Sequence, residues 1–194
     1  VERILPVIRQ EDIYIATNEE YWELVHEQLP NLPTENILCE PVSRNTAPSI
    51  GLGAMHIHKK YSDATMVVLP SDHMIREKHI FLSVLKDAVE IAQHKEVLVT
   101  MGISPTHPDT NYGYIQYETE GAMEGTAFRV KRFVEKPNLE LAKQYLASGD
   151  YLWNSGMFIW KTSTILNQIE QYLPEHYQHL TKIKAAIGTA EQHE

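Results

Sequence analysis

The sequence predicts an α/β fold, a three-layer sandwich whose sheet is mixed and mainly parallel. The first observation is that short apolar runs alternate with amphipathic helical patterns over residues 13–101. The second is that these runs are apolar almost throughout, as in strands that helices cover on both faces. Ligands of such open sheets bind beyond the carboxyl ends of the strands. The polar residues that directly follow each run are therefore the candidates for a functional site.

The predicted elements follow one another without a repeat or an obvious linker. The first five residues carry the pattern of a helix end. Strand-like runs then cover residues 13–16, 36–39 and 65–69, and helical patterns cover residues 19–29, 46–61 and 78–94. A β-rich region begins at residues 96–101 and includes apolar runs over 128–134 and 151–160, the last with a break at 154–156. A short helix over residues 138–148 ends near Gly149, and a final helical pattern covers residues 164–186.

Composition and charge narrow the class of protein. The chain has 194 residues, of which 43% are hydrophobic, enough for a well-buried globular domain. Its formal charge of −9 argues against nonspecific binding to nucleic acid or to an anionic membrane. Cys39 is the only cysteine, so no internal disulfide can form, and no apolar run is long enough to span a bilayer. We therefore expect a cytoplasmic protein. Its oligomeric state stays open, a homo-oligomer included.

Two short tracts carry the most chemistry. Residues 134–137 read Val-Glu-Lys-Pro at the end of an apolar run, and residues 153–156 read Trp-Asn-Ser-Gly. Glu135 and Asn154 offer hydrogen-bond acceptors and donors in fixed directions, which suits hydroxyl groups. Lys136 offers a point charge that suits a phosphate. Together the tracts predict a site for a molecule that bears both hydroxyls and a phosphate.

Residues 40–50 lie between a predicted strand and a predicted helix. Asn45 or Thr46 can cap that helix, and a proline suits its first turn, so a well-capped helix explains the segment by itself. Glu40, Arg44 and Asn45 nevertheless exceed what a cap requires. A helix N-terminus with further donors nearby favours an anion or the edge of a base. Both interpretations stay open on the residues alone.

Two further positions lie close to strand-like runs. Asp72 follows residues 65–69, where a turn residue is common. The sharper interpretation is a ligand for Mg²⁺, which proteins hold through one or two carboxylates together with substrate phosphates. The neighbouring His73 is interpreted as a hydrogen-bonded structural residue. Gly113 lies between two tyrosines and indicates either a β-bulge or a close approach of the backbone to a ligand.

Taken in order, these segments resemble the mannose-1-phosphate guanylyltransferase family. The Glu-Lys-Pro and Asn-Ser-Gly tracts mark sugar nucleotidyltransferases in general. Residues 44–48 (Arg-Asn-Thr-Ala-Pro) and 70–73 (Pro-Ser-Asp-His) narrow the likeness to the mannose-1-phosphate branch. The matching segments run in the family's order across most of the chain, at residues 40–50, 68–75, 102–105, 110–115, 133–138 and 153–158. The resemblance implies a Rossmann-like nucleotidyltransferase core, with a sugar-side subdomain or lid over residues 110–134.

The family joins mannose 1-phosphate to GTP, which yields GDP-mannose and pyrophosphate. Carried over to this chain, the resemblance implies that Asp72 holds Mg²⁺ at the nucleotide phosphates and that Lys136 holds the attacking sugar phosphate. These two residues are therefore the expected catalytic residues. The implied substrate-binding residues are Arg44, Asn45 and Thr46 on the guanine side, Gly113 with its backbone at the mannose, and Glu135 and Asn154 at the sugar hydroxyls.

Two parts of the family's pattern are missing from the sequence. In the family a loop of the form Gly-x-Gly-x-Arg precedes this region, and a second metal-binding Asp follows the Asn-Ser-Gly tract. Residues 1–194 are therefore expected to be an incomplete catalytic domain that is inactive by itself. The alternatives are a nucleotidyltransferase for another base or sugar, and a catalytically silent paralogue that binds sugar nucleotides and regulates a partner enzyme. A further phosphomannose isomerase domain, and the pathway that GDP-mannose feeds, stay open.

Overall fold

The computed structural model describes residues 1–40, 46–120 and 127–189. The chain divides into two compact units. The first contains Val1–Met66 together with the chain from Lys161 onward, and the second contains Val67–Trp160. The prediction that the whole chain belongs to one catalytic domain stays a prediction.

The described residues contain seven strands and six α-helices. The strands are β1 (Ile15–Asn18), β2 (Ile37–Glu40), β3 (Thr65–Val68), β4 (Val99–Ile103), β5 (Tyr114–Tyr117), β6 (Val130–Val134) and β7 (Tyr151–Lys161). The helices are α1 (Trp22–Gln28), α2 (Thr46–Lys60), α3 (Lys78–His94), α4 (Leu139–Ser148), α5 (Thr162–Tyr172) and α6 (Pro174–Ala186). The α/β class is thereby confirmed, and most predicted elements are present within a few residues of their expected bounds.

In the first unit, β1 and β2 form a parallel pair in which Ile15 lies opposite Ile37. Ile13, Leu32 and Ile37 form a buried cluster beside this pair, and α1 packs against β2. Elsewhere in the unit α2 packs against α5 and α6. Along the chain, β2 ends at Glu40 and α2 begins at Thr46, so the predicted strand-to-helix segment lies in this unit.

Two terminal predictions are wrong in detail. The first residues form hydrogen-bonded turns, in which the amides of Ile4 and Val7 donate to the carbonyls of Val1 and Ile4, rather than the end of an α-helix. The predicted helix over residues 164–186 is two helices, because Pro174 begins α6 and Leu173 before it takes φ −135° and ψ 56°. Proline disfavours helical backbone at the residue that precedes it, and it suits the first position of a new helix.

The second unit is built on a five-stranded sheet. Its strand order is β3-β7-β5-β6, and β4 also pairs with β7. The pairs β4–β7, β5–β7 and β5–β6 are antiparallel. The expectation of a mainly parallel sheet therefore holds for β1 and β2, whereas these three pairings run the other way. Hydrophobic runs show that a strand is buried on both faces but do not encode its direction, which explains the difference.

Helix α4 packs its inner face on this sheet. Tyr145 on α4 stacks on Tyr151 of β7, with ring centroids 4.0 Å apart, in a buried cluster that also contains Tyr114, Ala142 and Trp153. The Asn138 side chain caps the helix by accepting a hydrogen bond of 2.9 Å from the amide of Leu141. The helix ends at Gly149, whose φ of 75° suits glycine. Both ends agree with the prediction from sequence.

Within the described ranges, no helix combines the length and the apolar composition that crossing a bilayer would demand.

Candidate active site

In the second unit's sheet, the start of β5 and the end of β6 lie beside the early part of β7. Tyr114, the first residue of β5, lies opposite Val134 on one side and opposite Trp153 on the other. Because β5 runs antiparallel to both neighbours, the residue before Tyr114 comes level with the residues that follow Val134 and Trp153. Those residues are Gly113, Glu135 and Asn154. The fold thus brings together three positions that the sequence predicts for one ligand.

Gly113 lies between the other two side chains at close range. Its carbonyl accepts a hydrogen bond of 2.7 Å from the amide of Asn154. A Cβ atom added at Gly113 would lie 2.9 Å from Oε2 of Glu135 and 3.5 Å from Cβ of Asn154. A side chain at Gly113 would therefore force the end of the Glu135 side chain to shift. The approach of the Gly113 backbone to a ligand stays a prediction.

Glu135 and Asn154 offer complementary hydrogen-bonding groups. The Oδ1 atom of Asn154 accepts a hydrogen bond of 3.1 Å from the amide of Gly156, so the carboxamide NH₂ group is the part left to donate. The side chain of Glu135 is 72% exposed, and its carboxylate can only accept. A donor and an acceptor side by side suit adjacent hydroxyls, each of which donates one hydrogen bond and accepts others.

Lys136 has an unusual backbone. Its φ of 43° makes it the only residue other than glycine with a positive φ in the described part of the chain. This conformation costs an L-residue about 1–2 kcal/mol, and a following proline normally favours extended backbone instead. The constraint comes from both sides, since β6 ends at Val134 and the buried Pro137 leads directly into the cap of α4. Strain of this kind concentrates at functional sites.

The ammonium group of Lys136 has a weak internal partner. Its Nζ lies 3.7 Å from Oε1 of Glu135, and both side chains are largely exposed. Exposed ion pairs of this kind contribute about 0–1 kcal/mol, because water screens them. The charge of Lys136 therefore stays available to an anion that arrives beside Glu135.

The predicted break at Asn154–Gly156 is a bulge, and β7 continues through it. Gly102 of β4 pairs with Asn154 and Thr100 pairs with Phe158, so the register shifts between the two pairs. Gly156 has a φ of 70° within the shift. A bulge turns side chains away from the direction that a regular strand would give them, and bulges are common beside active sites.

Asp72 lies in the loop after β3 and is exposed. No hydrogen bond or ion pair joins its carboxylate to another residue in the ranges that the structure covers. The loop itself is held against the bulge, because a Cβ added at Gly156 would lie 3.3 Å from Cγ of Pro70. The structure thus links the Asp72 loop to the strand of Asn154 through Pro70, without a direct contact of the carboxylate.

The side chains near Asp72 supply only some of the ligands that Mg²⁺ requires. Among the described residues, no three His, Cys, Asp or Glu side chains form a group that could hold a metal ion. A single unpaired carboxylate is nevertheless what Mg²⁺ uses when substrate phosphates and water supply its other ligands. Asp72 therefore fits a metal that arrives with a nucleotide, and does not form a closed metal cage.

The predicted guanine-side residues belong to the first unit. Arg44 and Asn45 lie outside the described residues. Thr46 is the first residue of α2 and is exposed, and a proline occupies the first turn as predicted. The carboxylate of Glu40, at the end of β2, accepts a short hydrogen bond from the hydroxyl of Ser49 on α2. Glu40 is thus tied to the first turn of the helix.

Sequence reasoning missed an aromatic group beside Asn154. The rings of His107 and Tyr112 lie 5.0 and 5.1 Å from the ring of Trp153. Asp109 stabilises the loop between His107 and Tyr112 through hydrogen bonds from the amide of Asn111 and from His107. These bonds lower the pKa of the Asp109 carboxyl, and the bond from Asn111 has the larger effect. The presence of a tryptophan next to Asn154 was the available signal, because a buried indole requires partners from another segment.

Comparison with known proteins places these observations in context. A family model described as nucleotidyl transferase matches residues 4–192. The chain is 41% identical over 179 residues to a mannose-1-phosphate guanylyltransferase of Escherichia coli (strain K12), a match that covers 89% of this chain and 37% of the relative. It is 44% identical over 174 residues to the xanthan biosynthesis protein XanB of Xanthomonas campestris pv. campestris (strain B100), covering 89% and 36%. The chain thus spans little more than a third of the curated relatives that it matches.

Two solved structures share the fold. One is a mannose-1-phosphate geranyltransferase from Thermus thermophilus, with a TM-score of 0.86 and 28% identity over 98% of this chain and 54% of that chain. The other is a mannose-6-phosphate isomerase from Helicobacter pylori, with a TM-score of 0.79 and 30% identity over 95% and 69%. These likenesses confirm the predicted Rossmann-like α/β core.

Proposed function

Because this chain belongs to the nucleotidyl transferase family, we propose that the protein containing it is a mannose-1-phosphate guanylyltransferase. The enzyme would convert GTP and mannose 1-phosphate into GDP-mannose and pyrophosphate. The observation that carries the proposal is the meeting of Gly113, Glu135 and Asn154 at one sheet edge, with Lys136 beside them. Relatives that are named for this reaction support the choice of substrates.

The reaction requires positioning more than proton transfer. A phosphate oxygen of mannose 1-phosphate attacks the α-phosphorus of GTP, and the bond from that phosphorus to the departing pyrophosphate breaks. The attacking oxygen is already ionised at neutral pH, so no general base is needed. The protein must align two anions that repel each other and offset their charge. Lys136 is proposed for this role, and its exposed ammonium beside Glu135 supports the proposal.

We assign the sugar to the edge formed by Gly113, Glu135 and Asn154. The Asn154 amide group would donate to one sugar hydroxyl, and the Glu135 carboxylate would accept from another. The backbone of Gly113 would line the floor between them. Asp72 is proposed as the protein ligand of Mg²⁺, which when bound offsets charge on the nucleotide phosphates. Arg44, Asn45 and Thr46 are proposed for the guanine, and a cytoplasmic location suits the single cysteine.

A substrate panel tests this assignment against its rivals. The full-length protein is assayed for pyrophosphate release with GTP, ATP or UTP, each with mannose 1-phosphate or glucose 1-phosphate. We expect the highest kcat/KM for GTP with mannose 1-phosphate. Preference for another pair would indicate a nucleotidyltransferase of different specificity. Binding of GDP-mannose without turnover of any pair would indicate the silent regulatory paralogue.

Replacement of Asn154 by alanine or of Glu135 by glutamine is expected to weaken sugar-phosphate binding more than GTP binding. The alanine change removes the donor of one sugar hydroxyl, and the glutamine change replaces a charged acceptor by a weaker, neutral one. Losses of this kind cost about 1–3 kcal/mol, or roughly tenfold to a hundredfold in affinity. Calorimetric titration with each substrate measures the two effects separately. Glu140→Gln, an exposed change in the first turn of α4, is the control. Equal losses for both substrates would contradict the division of roles.

Replacement of Gly113 by alanine is expected to lower kcat/KM for mannose 1-phosphate about tenfold to a hundredfold, as small misplacements of binding groups do. The new Cβ would lie 2.9 Å from Oε2 of Glu135, so the carboxylate must move. The φ of Gly113 is not in the left-handed range, so the variant tests space rather than backbone strain. Steady-state kinetics with a thermal melt measures both effects. Unchanged kinetics would place the sugar elsewhere.

A further inference from the structure

The bulge in β7 is bridged by a side chain. Four residue steps of β7, from Asn154 to Phe158, oppose two steps of β4, from Gly102 to Thr100. A bulge of this kind interrupts the regular backbone ladder, so the local polar groups need other partners. The bulged segment contains Ser155, which is only 5% exposed.

The hydroxyl of Ser155 supplies two of those partners. It donates a hydrogen bond of 2.6 Å to the carbonyl of Met101, the β4 residue opposite the bulge. It accepts one of 3.1 Å from the amide of Met157, two residues further along β7. A hydroxyl can do both at once, since it has one donor and two acceptor positions. The Oγ atom of Ser155 is thus hydrogen-bonded both to β4 and to β7 at the bulge.

The conformation of the bulge determines where the Asn154 carboxamide lies. The backbone amide of Asn154 donates a hydrogen bond of 2.7 Å to the carbonyl of Gly113, which fixes the main chain at this residue. Its Oδ1 is fixed by the amide of Gly156 at 3.1 Å, and Gly156 holds its positive φ inside the bulge. If the bulge changes shape, the Gly156 amide moves and the carboxamide loses the contact that orients it.

We infer that Ser155 is a positioning residue, whose hydroxyl sets the β7 bulge and thereby aims the Asn154 carboxamide at the sugar. The inference rests on the proposed function and deepens it, since it assigns to Ser155 an effect on sugar binding that passes through Asn154. Ser155 itself is buried and does not touch the ligand. A serine that only filled the core would affect stability alone.

A double-mutant cycle separates these two roles. In the full-length protein, Ser155→Ala is expected to raise KM for mannose 1-phosphate about tenfold, with KM for GTP within about twofold, because the loss passes through one oriented contact. In an Asn154→Ala background the same change should alter KM for mannose 1-phosphate less than about twofold, since coupled residues are not additive. Ser155→Thr, which keeps the hydroxyl, should recover most of the loss.

The matched control is Ser148→Ala, which also removes a hydroxyl that is hydrogen-bonded within the same unit. The single proton of that hydroxyl is within reach of two acceptors, the carboxylate of Asp150 at 2.6 Å and the carbonyl of Tyr145 at 3.0 Å, and both lie away from the candidate site. It should leave both KM values unchanged. If Ser155→Ala does not fold, Ser155→Cys, whose thiol is a weaker donor, enters the same cycle.

Four outcomes would overturn the inference. Additive effects of the Ser155 and Asn154 changes would show that Ser155 does not act through the carboxamide. Equal rises in both KM values, or a lower melting temperature with unchanged KM values, would show a structural role only. An unmutated protein that releases no pyrophosphate with any pair of the panel would overturn the proposed function, and this inference with it.

Discussion

Replacement of Lys136 by alanine is expected to lower kcat/KM of the full-length protein for mannose 1-phosphate by about 2–4 kcal/mol in transition-state stabilisation, the usual effect of removing one preorganised electrostatic donor. The ammonium is exposed, is only weakly paired with Glu135 at 3.7 Å, and follows directly on the carboxylate that is proposed to bind a sugar hydroxyl. It is therefore free to offset the charge that two reacting phosphates share. The left-handed backbone of Lys136 sets the direction in which its side chain leaves the main chain.

Steady-state kinetics measures this loss, and two variants control for other causes. Lys136→Gln removes the charge but keeps most of the side chain, so it should lose nearly as much activity as alanine. Lys143→Ala removes an exposed lysine from α4 and should behave like the unmutated protein. Kinetics of Lys136→Ala within a few-fold of the unmutated protein would remove Lys136 from the mechanism.

Replacement of Asp72 by asparagine is expected to abolish Mg²⁺-dependent turnover while the protein stays folded. Asparagine keeps the shape of the side chain and an oxygen for a turn, but it lacks the charge that a hard cation needs. The carboxylate has no hydrogen-bond or ion-pair partner among the described residues, so the fold should lose little by the change. Turnover against Mg²⁺ concentration, together with a thermal melt, measures the two effects.

Asp87→Asn is the control, since it makes the same change at an exposed position of α3. It should keep full activity at every Mg²⁺ concentration. If Asp72 is only a turn residue, Asp72→Asn will match this control, and the metal must then bind elsewhere in the protein.

The parts of the fold predicted well from sequence are those that local chemistry determines. Helix α3 begins at Lys78 and ends at His94, as its apolar spacing predicts. Helix α4 follows the cap at Asn138 and stops at Gly149, because both residues have strong preferences for those positions. The division of the last helix could also be predicted, since Pro174 favours the start of a new helix. The apolar periodicity continues on both sides of this proline, however, and by itself it predicts a single helix.

The candidate site was only partly predictable. Residue types that bind hydroxyls and phosphate pointed to Glu135, Lys136 and Asn154, and the structure brings them to one edge. The sequence could not show the antiparallel pairings that cause this, because strand direction depends on the path of the whole chain. Nor could it show the bridging hydroxyl of Ser155, which depends on a register shift between distant strands. The roles of these residues in binding and catalysis stay predictions, as do those of Asp72, Arg44, Asn45, Thr46 and Gly113.

Product analysis with labelled substrate tests the central claim most directly. The full-length protein is supplied with GTP, Mg²⁺ and mannose 1-phosphate that carries ¹⁸O in its phosphate oxygens. The masses of the products are then measured by mass spectrometry. Attack of the sugar phosphate on the α-phosphorus retains every labelled oxygen in the sugar nucleotide. We predict GDP-mannose that carries the full label, with unlabelled pyrophosphate in equal amount. Label in the pyrophosphate, or the absence of any GDP-mannose, would contradict the account.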